Sequence, residues 1–136
     1  MNGPRYQWGA RSLGRLATCH PALRALFERV ILRPDLPSDL TVLCGFRGKP
    51  EQDAAFAAGT SRLRWPASKH NAQPSRAVDV APYPIDWRDG RAFALLAGYV
   101  LAVADMLREQ GQITHRLRWG GDWVRFPDGP HWEIAE

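Results

Sequence analysis

A chain of 136 residues is about one domain in size, long enough to bury roughly two-thirds of its unfolded surface without staples. Its 45% hydrophobic and 24% charged content excludes a disordered chain, and its two cysteines, Cys19 and Cys44, with no CxxC pair, exclude a disulfide framework and a thiolate zinc cluster. A formal charge of +4 with a pI near 9.6 favours polyanionic partners, whether nucleic acid, an acidic membrane surface or an anionic wall, without choosing among them.

The opening MNGPRYQWGARSLGRL has no apolar run of the signal-peptide kind, and no stretch reads as about eighteen continuous apolar residues. Cytoplasmic synthesis without membrane insertion is therefore expected. Residues 1–19 read as an irregular lead-in with a short turn at residues 12–16. From Pro21, the positions Leu23, Leu26, Phe27, Val30 and Ile31 recur at helical spacing, and Pro34 and Pro37 end the helix. Residues 40–44 read as a buried strand stopped by Gly45, with Arg47 just beyond it. A second, short helix follows from Pro50 to Gly59.

Residues 60–76 form a long polar loop, of a length more often functional than idle, and residues 77–80 read as a strand emerging from it and stopped by Pro82 and Pro84. The clearest element is a helix over residues 87–110, striped by Phe93, Leu96, Tyr99, Val100, Val103 and Leu107. The remainder reads as two short strands, 116–119 and 131–134, joined by a Gly-Gly turn and a Pro-Asp-Gly-Pro turn. The expectation is a single α+β domain with helices packed on a small, mainly antiparallel sheet. Six tryptophans in so short a chain belong either to its core or to a cleft.

Four residues stand out chemically. His70 lies in a polar loop, where an imidazole has no apolar reason to be. Asp79 interrupts an apolar strand, which is costly unless the carboxylate is paired or bound to a cation; an arginine salt bridge would serve equally. Together with His131 they would supply three N and O ligands, the set of a catalytic zinc site that leaves its fourth position to solvent. Asp128, three residues before His131, is either a turn residue of the Asp-Gly-Pro kind or a general base within reach of the attacking water. Glu133 competes for that role because it shares a strand face with His131. His20 and His115 sit in no such constellation and read as structural, and the two cysteines read as buried thiols.

The segments CGFRG (44–48), EQDAAFAAGTS (51–61), SKHNAQPSRAVDVAPYPIDW (68–87), RWGGDW (118–123) and DGPHWEI (128–134) resemble the zinc D-alanyl-D-alanine carboxypeptidase and L-alanyl-D-glutamate endopeptidase family, nearest to its phage endolysin branch. RSLGRLATCHPALRALFERV is similar to the N-terminal helix of that branch, so the likeness covers nearly the whole chain. The resemblance implies a Hedgehog/DD-peptidase-like fold with no separate wall-binding domain. It also implies a zinc ion held by His70, Asp79 and His131, and Asp128 as catalytic base. Arg47 would hold substrate or the developing oxyanion, with Gln52 a weaker candidate beside it. Ser68, Ala77 and Pro82 fill the remaining family positions. His70 and Asp79 are nine apart where many members have seven, and Asp128 stands where many have Glu. The implied substrate is the peptidoglycan stem peptide, cut between L-Ala and D-Glu, with D-Ala-D-Ala carboxypeptidase activity or a non-catalytic wall-binding module as alternatives. A monomer is expected, and nucleic-acid binding, which only the charge and the tryptophans favour, is not. Family habit and the missing signal peptide together imply a protein that waits in a host cytoplasm for release to the wall.

Overall fold

The computed structural model describes residues 3–125 and 127–135. Four helices, α1 (Ala10–Leu16), α2 (Pro21–Val30), α3 (Lys49–Ala57) and α4 (Gly90–Glu109), accompany four strands, β1 (Asp39–Cys44), β2 (Ala77–Tyr83), β3 (Leu117–Trp119) and β4 (His131–Ile134). The strands form one antiparallel sheet in the order β1-β2-β4-β3. This is the expected single α+β domain.

Strand alternation gives the sheet two different faces. Leu40, Val42, Val78, Val80, Trp132 and Ile134 point into the core, where they meet Leu23, Leu26, Phe27 and Val30 of α2 and Leu96, Val100, Val103 and Leu107 of α4. Asp79 and His131 are directly opposite each other in the β2–β4 register, so their side chains share the other face. Helix α4 is long and apolar enough to cross a membrane by length and composition, with a mean hydropathy of 1.5, although small and polar residues interrupt its apolar run. Its apolar stripe is spent on the core.

Caps and turns fix where the elements begin and end. Pro21 opens α2 and the His20 ring accepts the Ala22 N–H at 3.0 Å. Asp89 caps α4 by accepting from Ala92, so that helix starts at Gly90 and leaves Trp87 outside it. The chain leaves α4 through Gly111 at φ 74°, a left-handed conformation that glycine adopts without penalty.

Two sequence expectations need correction. The lead-in contains a true helix, and its stability comes from the sheet it covers. Strand β1 is an edge strand, and Ser12 Oγ accepts from Val42 N at 3.0 Å while Arg15 Nη1 donates to Val42 O at 2.9 Å. Side chains one helical turn apart thus occupy the edge's open donor and acceptor. Strand β2 also runs through Pro82, which pairs with Leu40. Beyond Val80, whose N–H donates to Pro130 O at 2.9 Å, the register gives β2 a partner on the β1 side only, so a residue without an N–H is tolerated there.

A bulge between Val42 and Cys44 brings Cys44 opposite Asp79 and bends β1 into Gly45. Gly45 lies against α1: an added Cβ would stand 2.3 Å from Thr18 Oγ1 and 2.4 Å from Arg15 O. The Gly45→Ala variant should therefore lose about 1–3 kcal/mol through overpacking, measured as a lower denaturation midpoint at unchanged m-value. A midpoint equal to that of the parent would show that α1 does not press on the β1 exit.

Candidate active site

His70 is positioned by a single 3-10 turn, Lys69–Asn71, closed by a capping box. Ser68 Oγ accepts from His70 N at 3.2 Å and Asn71 Oδ1 accepts from Ser68 N at 3.1 Å. Gln52 of α3, wholly buried, ties that turn to the loop after β1. Its Oε1 accepts from Arg47 Nη1 at 3.0 Å and Asn71 Nδ2 at 3.1 Å, and its Nε2 donates to Ser61 Oγ and Leu63 O. All four of its hydrogen-bonding positions are used, so Gln52 is a scaffold for Arg47 and not itself a substrate contact.

The imidazoles of His70 and His131 meet over Asp79, their ring centroids 5.1 Å apart. His70 Nε2 lies 3.3 Å and His131 Nδ1 3.2 Å from the same oxygen, Asp79 Oδ1. The outer ring nitrogens are anchored elsewhere. His70 Nδ1 is 2.8 Å from Gly45 O, a carbonyl, so it carries the proton and donates. His131 Nε2 donates to Glu133 Oε1 at 2.8 Å. Each ring therefore turns its basic nitrogen toward the Asp79 carboxylate, the arrangement in which metal-binding imidazoles are held by outer partners. His70 Nε2 is buried and, despite its proximity to Asp79, makes no hydrogen bond. An orphaned buried nitrogen flanked by a carboxylate and a second imidazole fits a cation.

Asp128 Oδ2 approaches His131 Nδ1 at 4.0 Å. The two are brought together by the turn between them, in which His131 N donates to Asp128 O at 3.1 Å, and by Gly120, whose carbonyl accepts from Asp128 N at 2.9 Å. A Cβ at Gly120 would lie 2.5 Å from Asp128 O and 2.9 Å from His131 Cβ, so the Gly-Gly segment is what lets the two turns close on each other. Arg47 Nη2 reaches Asp79 Oδ2 at 3.7 Å. Glu133 is tied to Lys69 at 3.2 Å and Arg118 at 3.4 Å as well as to His131, which occupies it as an orienting group rather than as a free base.

Two contributors lie outside the set that the sequence singles out. Cys44 is half-buried and not a core thiol like Cys19. It offers Sγ to a group with His70 and Asp79 in which the ligand atoms lie within 4.8 Å of one another, and Asp79, Asp128 and His131 form a second such group. Only the bulged β1–β2 register reveals this. Trp123, whose ring centroid is 4.8 Å from that of His131, packs against the imidazole. Its place in RWGGDW, a few residues before the Asp128 turn, is the signal that points to it. His20 and His115 meet edge to face with ring centroids 4.8 Å apart, His20 as the α2 cap.

The charges are strongly coupled. Burial would hold the His70 ring neutral, but the Asp79 carboxylate overrides it and raises the pKa to about 10. Burial opposes ionisation of Asp79 too, yet His70 and then His131 hold it well below the usual carboxylate range. Burial and the Asp79 charge push Asp128 up. For Cys44, burial is outweighed by His70, which pulls the thiol down. His70, Asp79, Asp128 and His131 line a cleft of about 710 Å³ that also includes Lys69, Arg62 and Trp87, a volume in the range of small-ligand sites.

Residues 5–134 match the family model described as phage L-alanyl-D-glutamate peptidase. The fold is similar to the crystal structure of the Serratia marcescens L-Ala D-Glu endopeptidase ChiX, with a TM-score of 0.69 and 26% identity over 96% of this chain and 90% of that one. With nearly the whole chain matched by the family model, the protein belongs to the phage L-alanyl-D-glutamate peptidases, a family of hydrolases.

Proposed function

We propose that this chain is a zinc-dependent endopeptidase that hydrolyses the L-Ala–D-Glu bond of the peptidoglycan stem peptide, with His70, Asp79 and His131 as the metal ligands. The observation that carries the reading is the buried His70 Nε2, which makes no hydrogen bond and faces an oxygen that His131 Nδ1 also faces. Two imidazoles and a carboxylate are the donor set of catalytic zinc, whereas magnesium and calcium prefer oxygen ligands alone. A zinc ion bound there supplies a Lewis acid that lowers the pKa of water from 15.7 toward about 7 and polarises a carbonyl.

The chain's own groups do the rest. Glu133 and Gly45 O fix the two rings so that their basic nitrogens stay aimed inward. Asp128 stands at the cleft beside His131, where it takes the proton of the attacking water and returns it to the departing D-Glu amine. Arg47, its guanidinium held from behind by Gln52, presents a fixed cation to the oxyanion that develops on the scissile carbonyl. Burial among coupled charges keeps these donors preorganised before substrate arrives.

Three outcomes test the reading. Asp128→Ala should keep its zinc and lose at least about a hundredfold in hydrolysis, the lower range for a general base; undiminished release of muropeptides would move the base elsewhere. Mass spectrometry of fragments from purified peptidoglycan should show new D-Glu amino termini, whereas loss of terminal D-Ala alone would point to carboxypeptidase action. Metal-free protein carries a protonated His70 at neutral pH, its pKa being about 10, and a metal binds only the neutral ring. Zinc uptake at pH 7 should therefore release protons and weaken as the pH falls, read by calorimetry in buffers of different ionisation enthalpy. Uptake without proton release would remove His70 from the ligand set.

A further inference from the structure

We propose that the aromatic groove beside the cleft is a subsite for the muramyl sugar that carries the stem peptide, with Trp87 as its stacking platform; this rests on the peptidase reading above. Trp87 is the most exposed tryptophan among the large exposed apolar side chains, 64% accessible, yet it is held in place. Its ring stacks on Phe93 with centroids 5.9 Å apart and planes 15° from parallel, and Phe93 is itself buried in the fold. An indole kept flat toward solvent by a buried neighbour costs hydrophobic burial without adding to the core.

The groove encloses about 370 Å³ and shares Trp87, Asp128 and Pro130 with the active-site cleft. Its other wall is Trp119, whose Nε1 donates to Gly129 O at 2.7 Å. Gly90, Gly121 and Gly129 also line it. A Cβ at Gly121 would stand 2.2 Å from the Trp119 ring and one at Gly129 would stand 3.1 Å from Phe93 Cγ. The glycines therefore let Trp119 and Phe93 lie directly against backbone, and Pro127 and Pro130 complete a groove lined mainly by aromatic rings, prolines and glycines. Such a surface fits the C–H face of a pyranose ring better than a branched or charged side chain.

Charge divides the two halves of the substrate in the same way. The cleft carries Arg47, Arg62 and Lys69, suited to the carboxylates of D-Glu and the residues after it, while no described residue lining the groove is basic. In a stem peptide L-Ala is joined directly to the lactyl group of the sugar. The pyranose ring thus begins two residue-lengths, about 7 Å of extended chain, from the scissile carbonyl, and the adjoining groove, whose only charged lining residue among those described is Asp128, is the place for it.

The test compares two substrates, a muramyl-L-Ala-D-Glu peptide and the same peptide without sugar. Because Trp87 also borders the catalytic cleft, the readout is the difference between substrates: Trp87→Ala should lower kcat/KM on the muramyl substrate about tenfold more than on the sugar-free peptide, as expected for loss of one aromatic stacking contact, chiefly through KM. Trp87→Phe should recover most of the loss. Equal losses on both substrates, or none on either, would overturn the subsite. If the parent protein cleaves neither substrate, the peptidase reading is what fails; calorimetric binding of the muramyl disaccharide to parent and Trp87→Ala protein then decides the groove alone, and absence of binding, or binding that survives Trp87→Ala, overturns it.

Discussion

A carboxylate in the middle of a sheet is the constraint from which the rest of this structure follows. Asp79 lies on β2, between β1 and β4, with Cys44 opposite it on one side and His131 on the other. An ionised carboxylate removed from water is strongly unfavourable unless cations or donors surround it. Here two imidazoles and a guanidinium converge on its oxygens. Their orientations are set by groups further out, Gly45, Gln52 and Glu133, so the demand of one side chain organises three separate loops and the end of the last strand.

The architecture meets that demand by dividing labour between the two faces of the sheet. One face is closed by α2 and α4 with large apolar side chains, which supplies stability chiefly by apolar burial. The other is given to chemistry, and there the close approaches are made by glycines and short turns instead of packed aliphatics. The bulge in β1 and the contact of Gly120 with the Asp128 turn both sit at that face. Irregular backbone in this protein is concentrated where side chains have to be aimed.

Much of this is legible in the chain because periodicity and punctuation agree. The stripes of α2 and α4, the prolines after α2 and the glycine after α4 each specify one local answer. The family likeness then singles out His70, Asp79, Asp128 and His131, which the structure brings to one cleft. What escapes a reading of the sequence is tertiary in origin. Helix α1 is short and has little apolar periodicity; it exists because Ser12 and Arg15 bond the edge of β1. Gln52 reads as a possible substrate contact, since nothing local shows that all its hydrogen bonds are made internally. Cys44 reads as an ordinary buried thiol because its nearness to His70 depends on strand register and a bulge, and neither leaves a mark on composition.

The strand order carries a temporal consequence. Strand β4 is the last in sequence but lies inside the sheet, and β3 is joined to the others only through it. The sheet therefore cannot be assembled from the amino-terminal side forward; its second half must wait for the final segment to thread between two earlier strands, a long-range closure of the kind that slows folding. Because that same segment contributes His131, the two imidazoles cannot face Asp79 together before β4 is in place, and the geometry of the site and the completion of the sheet arrive in a single step.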